Sequence, residues 1–267
     1  MEKRDSLINK VKGLLDKTNV PEWLHHFGPK KFKFFDHFLA LLIKKACQLS
    51  FRRTSKLLKS LGFKVPSYSA LCKMRLRLPK KLWDAFLHQT IPQRPVRVAA
   101  IDGTTLTRTN PSWHYTQRIG RKSPIKQPLK LSALVETAGK KRILALRVRA
   151  KNSHDVKDVR YLLKSSPSKM NILVADKGYD AEWIHELVFD MNMTSMIPTR
   201  KNSKKGFFRK KMKKQFRQRT YHRREMVESV FSALKQKYGQ CVKAKSWKTQ
   251  TAEVYCAAIL HNLDLRY

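Results

Sequence analysis

The chain has 267 residues, with 58 Lys and Arg against 19 Asp and Glu and a formal net charge of +39. Self-repulsion of that size opposes compaction unless a polyanion binds, so nucleic acid is the expected partner. A membrane partner is not expected, because the longest apolar runs, such as FLALLIKKACQL, are broken by lysines well short of a bilayer span.

The opening MEKRDSLINKVKGLL reads as an amphipathic helix rather than a signal peptide. Residues 1–92 are expected to form a helical domain. Apolar positions recur at helical spacing in FFDHFLALLIKKACQL, and SFRRTSKLLKSLGF follows, with Ser50 as a cap and Gly62 as a stop. Ser67 opens a second short basic helix, SYSALCKMRLRL, closed by Pro79. Two short helices across a glycine turn, the second carrying Lys73, Arg75 and Arg77, outline a helix-turn-helix DNA reader. The alternative is a plain helical hairpin with basic solvent faces. PQRP at 92–95 marks the expected boundary, since two prolines there cannot continue a helix.

From residue 93 to 267 the period changes. VRVAAID (96–102), LKLSALVET (129–137) and KRILALRVRA (141–150) read as strands, with a hairpin turn at AGK. A helix is expected from His154 to Leu163, a buried strand at NILVAD (171–176), a helix from Asp180 to about Met191 and a short strand at SMIP (195–198). This order describes a mixed α/β layer. Two long basic segments interrupt it, at 107–128 and at 200–220. Read as loops, they suit phosphate contact and base stacking; the first carries Arg118, Arg121 and Lys122 beside Trp113, His114 and Tyr115. A solvated segment without function is the competing reading.

Acids are scarce, which makes their placement informative. Asp102 closes the first strand and Asp176 the fourth, each followed closely by a glycine, Gly103 or Gly178, that lets the chain turn away. Strand ends are where side chains project from a rigid scaffold into open space. A third carboxylate would complete an oxygen-ligand site for two hard cations. At 100° per residue, the run YHRREMVESVFSALKQK sets Met226, Val227, Val230, Phe231, Leu234 and Tyr238 on one face. Glu225 then faces solvent, whereas Glu228 lies at the margin of the apolar face beside Tyr221, Arg224 and Lys235. Asp155 and Asp180 are read as helix caps. The four cysteines, Cys47, Cys72, Cys241 and Cys256, lack metal-ligand spacing and suit a reducing compartment.

Tyr221, Arg224, Glu228 and Lys235 resemble the Tyr-Arg-Glu-Lys signature of the prokaryotic insertion-sequence DDE transposases, and IDGT and VADKGYD resemble that family's two aspartate motifs. The resemblance covers roughly residues 96–264. It implies a ribonuclease-H-like mixed sheet with flanking helices, here preceded by an all-α DNA-binding domain. Asp102, Asp176 and Glu228 become the catalytic ligands of two Mg²⁺ ions, with Mn²⁺ as a substitute. Tyr221, Arg224 and Lys235 become contacts to transposon-end DNA. The partners implied are double-stranded terminal-repeat and target DNA within a synaptic homodimer, in the cytoplasm at the nucleoid. About fifty residues separate Asp176 from Glu228, too few for the large β-rich insertion of some members. A domesticated DNA-binding derivative and a metal-dependent nuclease without strand transfer are the rival functions.

Overall fold

The computed structural model describes residues 6–24, 30–91, 93–201, 203 and 205–265. Contacts gather Met1–Thr90 with Leu234–Tyr267 into one compact unit and Ile91–Ala233 into another. Pro92 of the expected boundary and residues 1–5 of the opening helix pattern lie outside the described residues.

The first unit begins with α1 (Leu7–Lys17), α2 (Phe34–Ala46), α3 (Phe51–Ser60), α4 (Tyr68–Arg77) and α5 (Lys80–Gln89). Side-chain caps explain where α3 and α4 start: Ser50 Oγ accepts from the Arg53 N–H at 3.3 Å and Ser67 Oγ from the Ala70 N–H at 3.3 Å. Gly62, at φ +80°, turns the chain after α3 in a conformation that disfavours side chains. Phe38, Trp83 and Phe86 are buried against one another, with the Phe38 and Phe86 ring centroids 4.5 Å apart. Burial stabilises by about 1.5–3 kcal/mol for each phenylalanine.

In the second unit the chain runs β1 (Val96–Arg108), α6 (Trp113–Arg118), β2 (Leu129–Glu136), β3 (Ile143–Arg149), α7 (Val156–Ser165), β4 (Met170–Ala175), α8 (Glu182–Asp190), β5 (Thr194–Met196), α9 (Phe207–Gln215), α10 (Gln218–Tyr221) and the start of α11 (Glu225–Tyr238). The sheet order is β3-β2-β1-β4-β5. The β1–β2 and β2–β3 pairs are antiparallel, while β4 runs parallel to both β1 and β5. Val96, Ala99 and Ile101 of β1 share a core with Leu173 of β4, Val159 and Leu162 of α7, and Ile184 and Val188 of α8. Every residue of β2 is buried, as expected of a strand with neighbours on both sides.

The chain closes with α12 (Trp247–Asp264), in the first unit. Its buried residues run without interruption from Thr249 to Leu263, so it lacks an amphipathic stripe. Polar groups within that run have partners. Asn262 donates to Thr90 Oγ1 at 2.7 Å, the Tyr255 hydroxyl meets Asp84, and Glu253 pairs with Lys45 at 3.2 Å. Burial pushes the Cys256 thiol up to about 12, and all four cysteines are free.

Several sequence expectations are corrected. Segment 107–128 is not a structureless loop, since β1 continues to Arg108 and α6 follows behind a Ser112 cap whose Oγ accepts the Tyr115 N–H at 3.3 Å. Its two ends are tied where Asn110 Oδ1 accepts the Lys126 N–H at 2.7 Å. Segment 200–220 contains α9. The cap comes from a distant residue: Glu182 Oε1 accepts the Phe208 N–H at 2.7 Å and Oε2 the Arg209 N–H at 3.4 Å. Gly206 precedes it at φ +126°, where an added Cβ would collide with the Glu182 carboxylate. Asp155 holds the N-cap position of α7 and Asp180 follows the 3-10 turn before α8, but neither makes a side-chain cap; their carboxylates pair with Lys130 and Arg209.

Candidate active site

The parallel ladder between β1 and β4 ends at the pair Ile101–Ala175, so Asp102 and Asp176 are the next residues on two neighbouring strands. Neighbouring strands lie about 4.8 Å apart, and residues in register on parallel strands share a face. The two carboxylates therefore leave the sheet side by side. Asp102 does not close its own strand, however. β1 continues past it, pairing Asp102 with Ala133 and Gly103 with Ser132 on β2. The acid projects mid-strand, at the point where its parallel neighbour stops.

The two glycines differ from their expected role. Gly103 is needed for close approach, since a Cβ there would lie 2.7 Å from Asp155 Oδ1. Its N–H donates to Asp102 Oδ1 at 2.8 Å. Gly178 takes no left-handed conformation, and a Cβ there would meet only Asp176 Oδ2 at 3.9 Å. The turn after β4 is instead a short 3-10 segment, Lys177–Tyr179. Arg200 braces it, donating to the Gly178 carbonyl at 2.8 Å.

The helix expected to start at Tyr221 is broken at its beginning, where His222–Arg224 winds as a 3-10 turn before α11. From that turn the Arg224 guanidinium lies 2.8 Å from Glu228 Oε1 and 3.6 Å from Asp102 Oδ2. Burial, and then the charge of Asp176, raise the pKa of the Tyr221 phenol, with Arg224 opposing. Asp102, Arg224 and Glu228 thus meet in the second unit, with Asp176 beside Asp102 by strand register and Tyr221 near enough to feel the Asp176 charge. Glu225 does not join them. Its side chain is 62% exposed, little more than the 57% of Glu228, so partners and not exposure distinguish the two: among the described residues Glu225 reaches only His222, at 3.7 Å. Lys235 lies on the stretch of α11 that belongs to the first unit. Arg118, Arg121, Lys122 and Arg77 are exposed, whereas Arg75 is half-buried.

Electrostatics favour a cation here. Burial raises the Asp102 pKa, with Asp155 and Glu228 adding to the effect, against the Gly103 N–H and Arg224. Burial, and then the charges of Asp155, Asp102, Asp158 and Asp176, raise the Tyr179 phenol. That hydroxyl is buried and has no hydrogen-bond partner among the described residues. Beneath the site lies a network that sequence reasoning missed. Lys130 Nζ lies 2.5 Å from Asp155, and fully buried Asp158 accepts from Ser132 at 2.7 Å and from Arg149 at 2.6 Å. A lysine in the apolar run of β2 was its one visible signal. No three of the described His, Cys, Asp or Glu residues form a ready-made metal cluster. The donors at hand are oxygens in excess of local cations, which fits hard divalent ions in kind.

The family model described as the transposase DDE domain matches residues 94–263. The chain belongs to that transposase family. In fold the chain is similar to a piggyBac transposase solved by cryo-EM in a synaptic complex with hairpin DNA. The TM-score is 0.54 at 13% identity, over 98% of this chain and 72% of that one. The mixed sheet with flanking helices is consistent with a ribonuclease-H-like transposase fold. No curated protein sequence matches. No helix among the described residues is long and apolar enough to cross a membrane.

Proposed function

We propose that the chain is an active insertion-sequence transposase of prokaryotic type, cutting element ends and joining them to target DNA through Asp102, Asp176 and Glu228. The observation that carries this reading is the juxtaposition of Asp102 and Asp176 at the end of one parallel ladder, with Arg224 joining Asp102 to Glu228. Residues 93–267 would supply the catalytic domain and residues 1–92 the end-recognition domain, in a synaptic homodimer at the nucleoid. The piggyBac complex contains hairpin DNA, which supports a DNA partner.

Asp102, Asp176 and Glu228 would hold two Mg²⁺ ions, or Mn²⁺, whose chemistry is to stabilise the attacking and leaving oxygens of a phosphoryl transfer. The chain's own residues set the geometry. Gly103 N–H fixes the Asp102 carboxylate at 2.8 Å, leaving its Oδ2 directed toward Arg224. Arg224 draws Glu228 to the aspartates and offers further N–H donors to a scissile phosphate. Tyr221 would stand near Asp176, whose charge raises its phenol. Exposed Arg118, Arg121 and Lys122 would track the DNA backbone. The test is a strand-transfer assay with labelled element ends and Mg²⁺. Joined products support the reading, nicking without joining indicates a nuclease, and binding without cleavage indicates a domesticated derivative.

A further inference from the structure

The N-terminus of α3 holds a charge arrangement that the catalytic reading leaves unexplained. Negative groups are favoured at a helix N-terminus, yet the first turn of α3 carries Arg52 and Arg53 and no acid. Two further cations converge there. The Lys44 ammonium lies 5.0 Å from the centroid of the Phe51 ring, and the Arg75 guanidinium lies 4.7 Å from the same centroid. Lys44 is 9% exposed. Neither cation has a hydrogen-bond partner among the described residues, and Arg75 Nε is buried without one.

The nearest acid, Glu253, offsets both charges in part but has its oxygens engaged elsewhere. Glu253 Oε1 is taken by Lys45 Nζ at 3.2 Å and by the Lys243 N–H at 3.3 Å, and Oε2 by the Ala244 N–H at 3.0 Å. Burial lowers the pKa of both Lys44 and Arg75, Glu253 opposes that fall in each, and Arg75 and Lys45 depress Lys44 further. Contact with one aromatic face stabilises a cation by less than burying an uncompensated charge costs. An oxyanion would answer every part of this imbalance at once. It would give Lys44 and Arg75 an acceptor, lie at the positive end of α3 and neutralise Arg52 and Arg53.

We propose that Lys44, Arg75 and the N-terminus of α3 form a phosphate-binding site that takes one phosphodiester group of the DNA backbone. Its identification as DNA phosphate, and not free phosphate, rests on the reading of the helical unit as DNA-contacting. On this account Arg75 positions the DNA through its backbone and does not read a base edge.

The test uses the full chain and the variants Lys44→Met and Arg75→Met, which keep the apolar stems, with Lys59→Met in the last turn of α3 as a control. Binding to duplex DNA is followed by fluorescence anisotropy across a salt series, and melting temperature is measured with and without millimolar inorganic phosphate. Lys44→Met should weaken DNA binding roughly tenfold and reduce the slope of log affinity against log salt by about 0.9, as one phosphate contact does. Phosphate should raise the melting temperature of the parent but not of either variant. Loss of the phosphate effect with an unchanged DNA slope would make free phosphate the ligand and overturn the backbone assignment. No phosphate effect in the parent and an unchanged slope would overturn the site altogether. If the parent fails to bind DNA at all, the reading of the helical unit fails, while the phosphate arm still decides the anion site. Lys44→Gln repeats both measurements if the methionine variant does not fold.

Discussion

Replacing Asp158 with Asn should destabilise the second unit by about 3–5 kcal/mol, the cost of breaking a buried ion pair by removing one partner. The figure follows from the surroundings. Asp158 is fully buried, and its Oδ1 lies 2.6 Å from Arg149 Nε and 3.4 Å from Arg147 Nε. Its Oδ2 accepts from Ser132 at 2.7 Å and lies 3.9 Å from Lys130, whose side chain is 4% exposed. Asn keeps the volume but removes the charge, leaving Lys130 with Asp155 alone and the two arginines without a counter-charge. At about 2–4 °C per kcal/mol for a chain of this size, the melting temperature should fall by roughly 6–20 °C. Glu225→Gln serves as the surface control, because its exposed pair with His222 is worth no more than about 1 kcal/mol. The assay is thermal unfolding by circular dichroism at neutral pH. A variant melting within a degree of the parent would show that the network does not support the sheet.

Three further outcomes are expected. His185 is buried between Ser195, at 2.8 Å, and Asp180, at 3.3 Å, and burial holds its pKa below the usual 6.5. The unfolded chain therefore binds the extra proton first, so stability is full above about pH 6.5 and declines as the pH falls below it. That decline should be absent in His185→Gln, and a parent stability flat across the window would contradict the sign. Gly103→Ala should destabilise by about 1–3 kcal/mol and reduce DNA cleavage, because its Cβ would stand 2.7 Å from Asp155 Oδ1; melting and cleavage equal to the parent would refute this. DNA affinity should fall linearly and steeply with log salt, given the net charge of +39, and a flat response would mean that backbone charge does not dominate.

The strands were legible because Val, Ile, Leu and Ala runs bounded by Pro, Gly and charged residues leave few alternatives; β2 and β3 fall within the expected segments, and β4 is offset from its own by one residue. The position of Asp102 within its strand was not. The antiparallel pairing with β2 continues beyond it while the parallel pairing with β4 stops, and only the register of both neighbours shows that. Arg224 and Glu228 could be paired on sight from their four-residue spacing. The reach of Arg224 to Asp102 spans more than a hundred residues and leaves no local trace. The helix in segment 200–220 was hidden for a similar reason, since its capping carboxylate is Glu182, far upstream. Lysine-rich composition there suggested a loop, whereas Phe208 against Phe189 and buried Met212 anchor a helix. In α12 the burial of all faces removes the amphipathic stripe that sequence reading depends on.

The central claim is that Glu228, and not Glu225, joins Asp102 and Asp176. It is tested most directly by Mg²⁺-dependent cleavage of supercoiled element DNA by Glu228→Gln and Glu225→Gln, with end binding and circular dichroism measured on the same preparations. Both substitutions preserve size, and only one removes a carboxylate that shares Arg224 with Asp102. Cleavage by Glu228→Gln should fall by orders of magnitude while binding persists, and Glu225→Gln should cut as the parent does. A dead Glu225 variant beside a Glu228 variant that cuts normally would contradict the assignment, and with it the placement of α11 against the two aspartates.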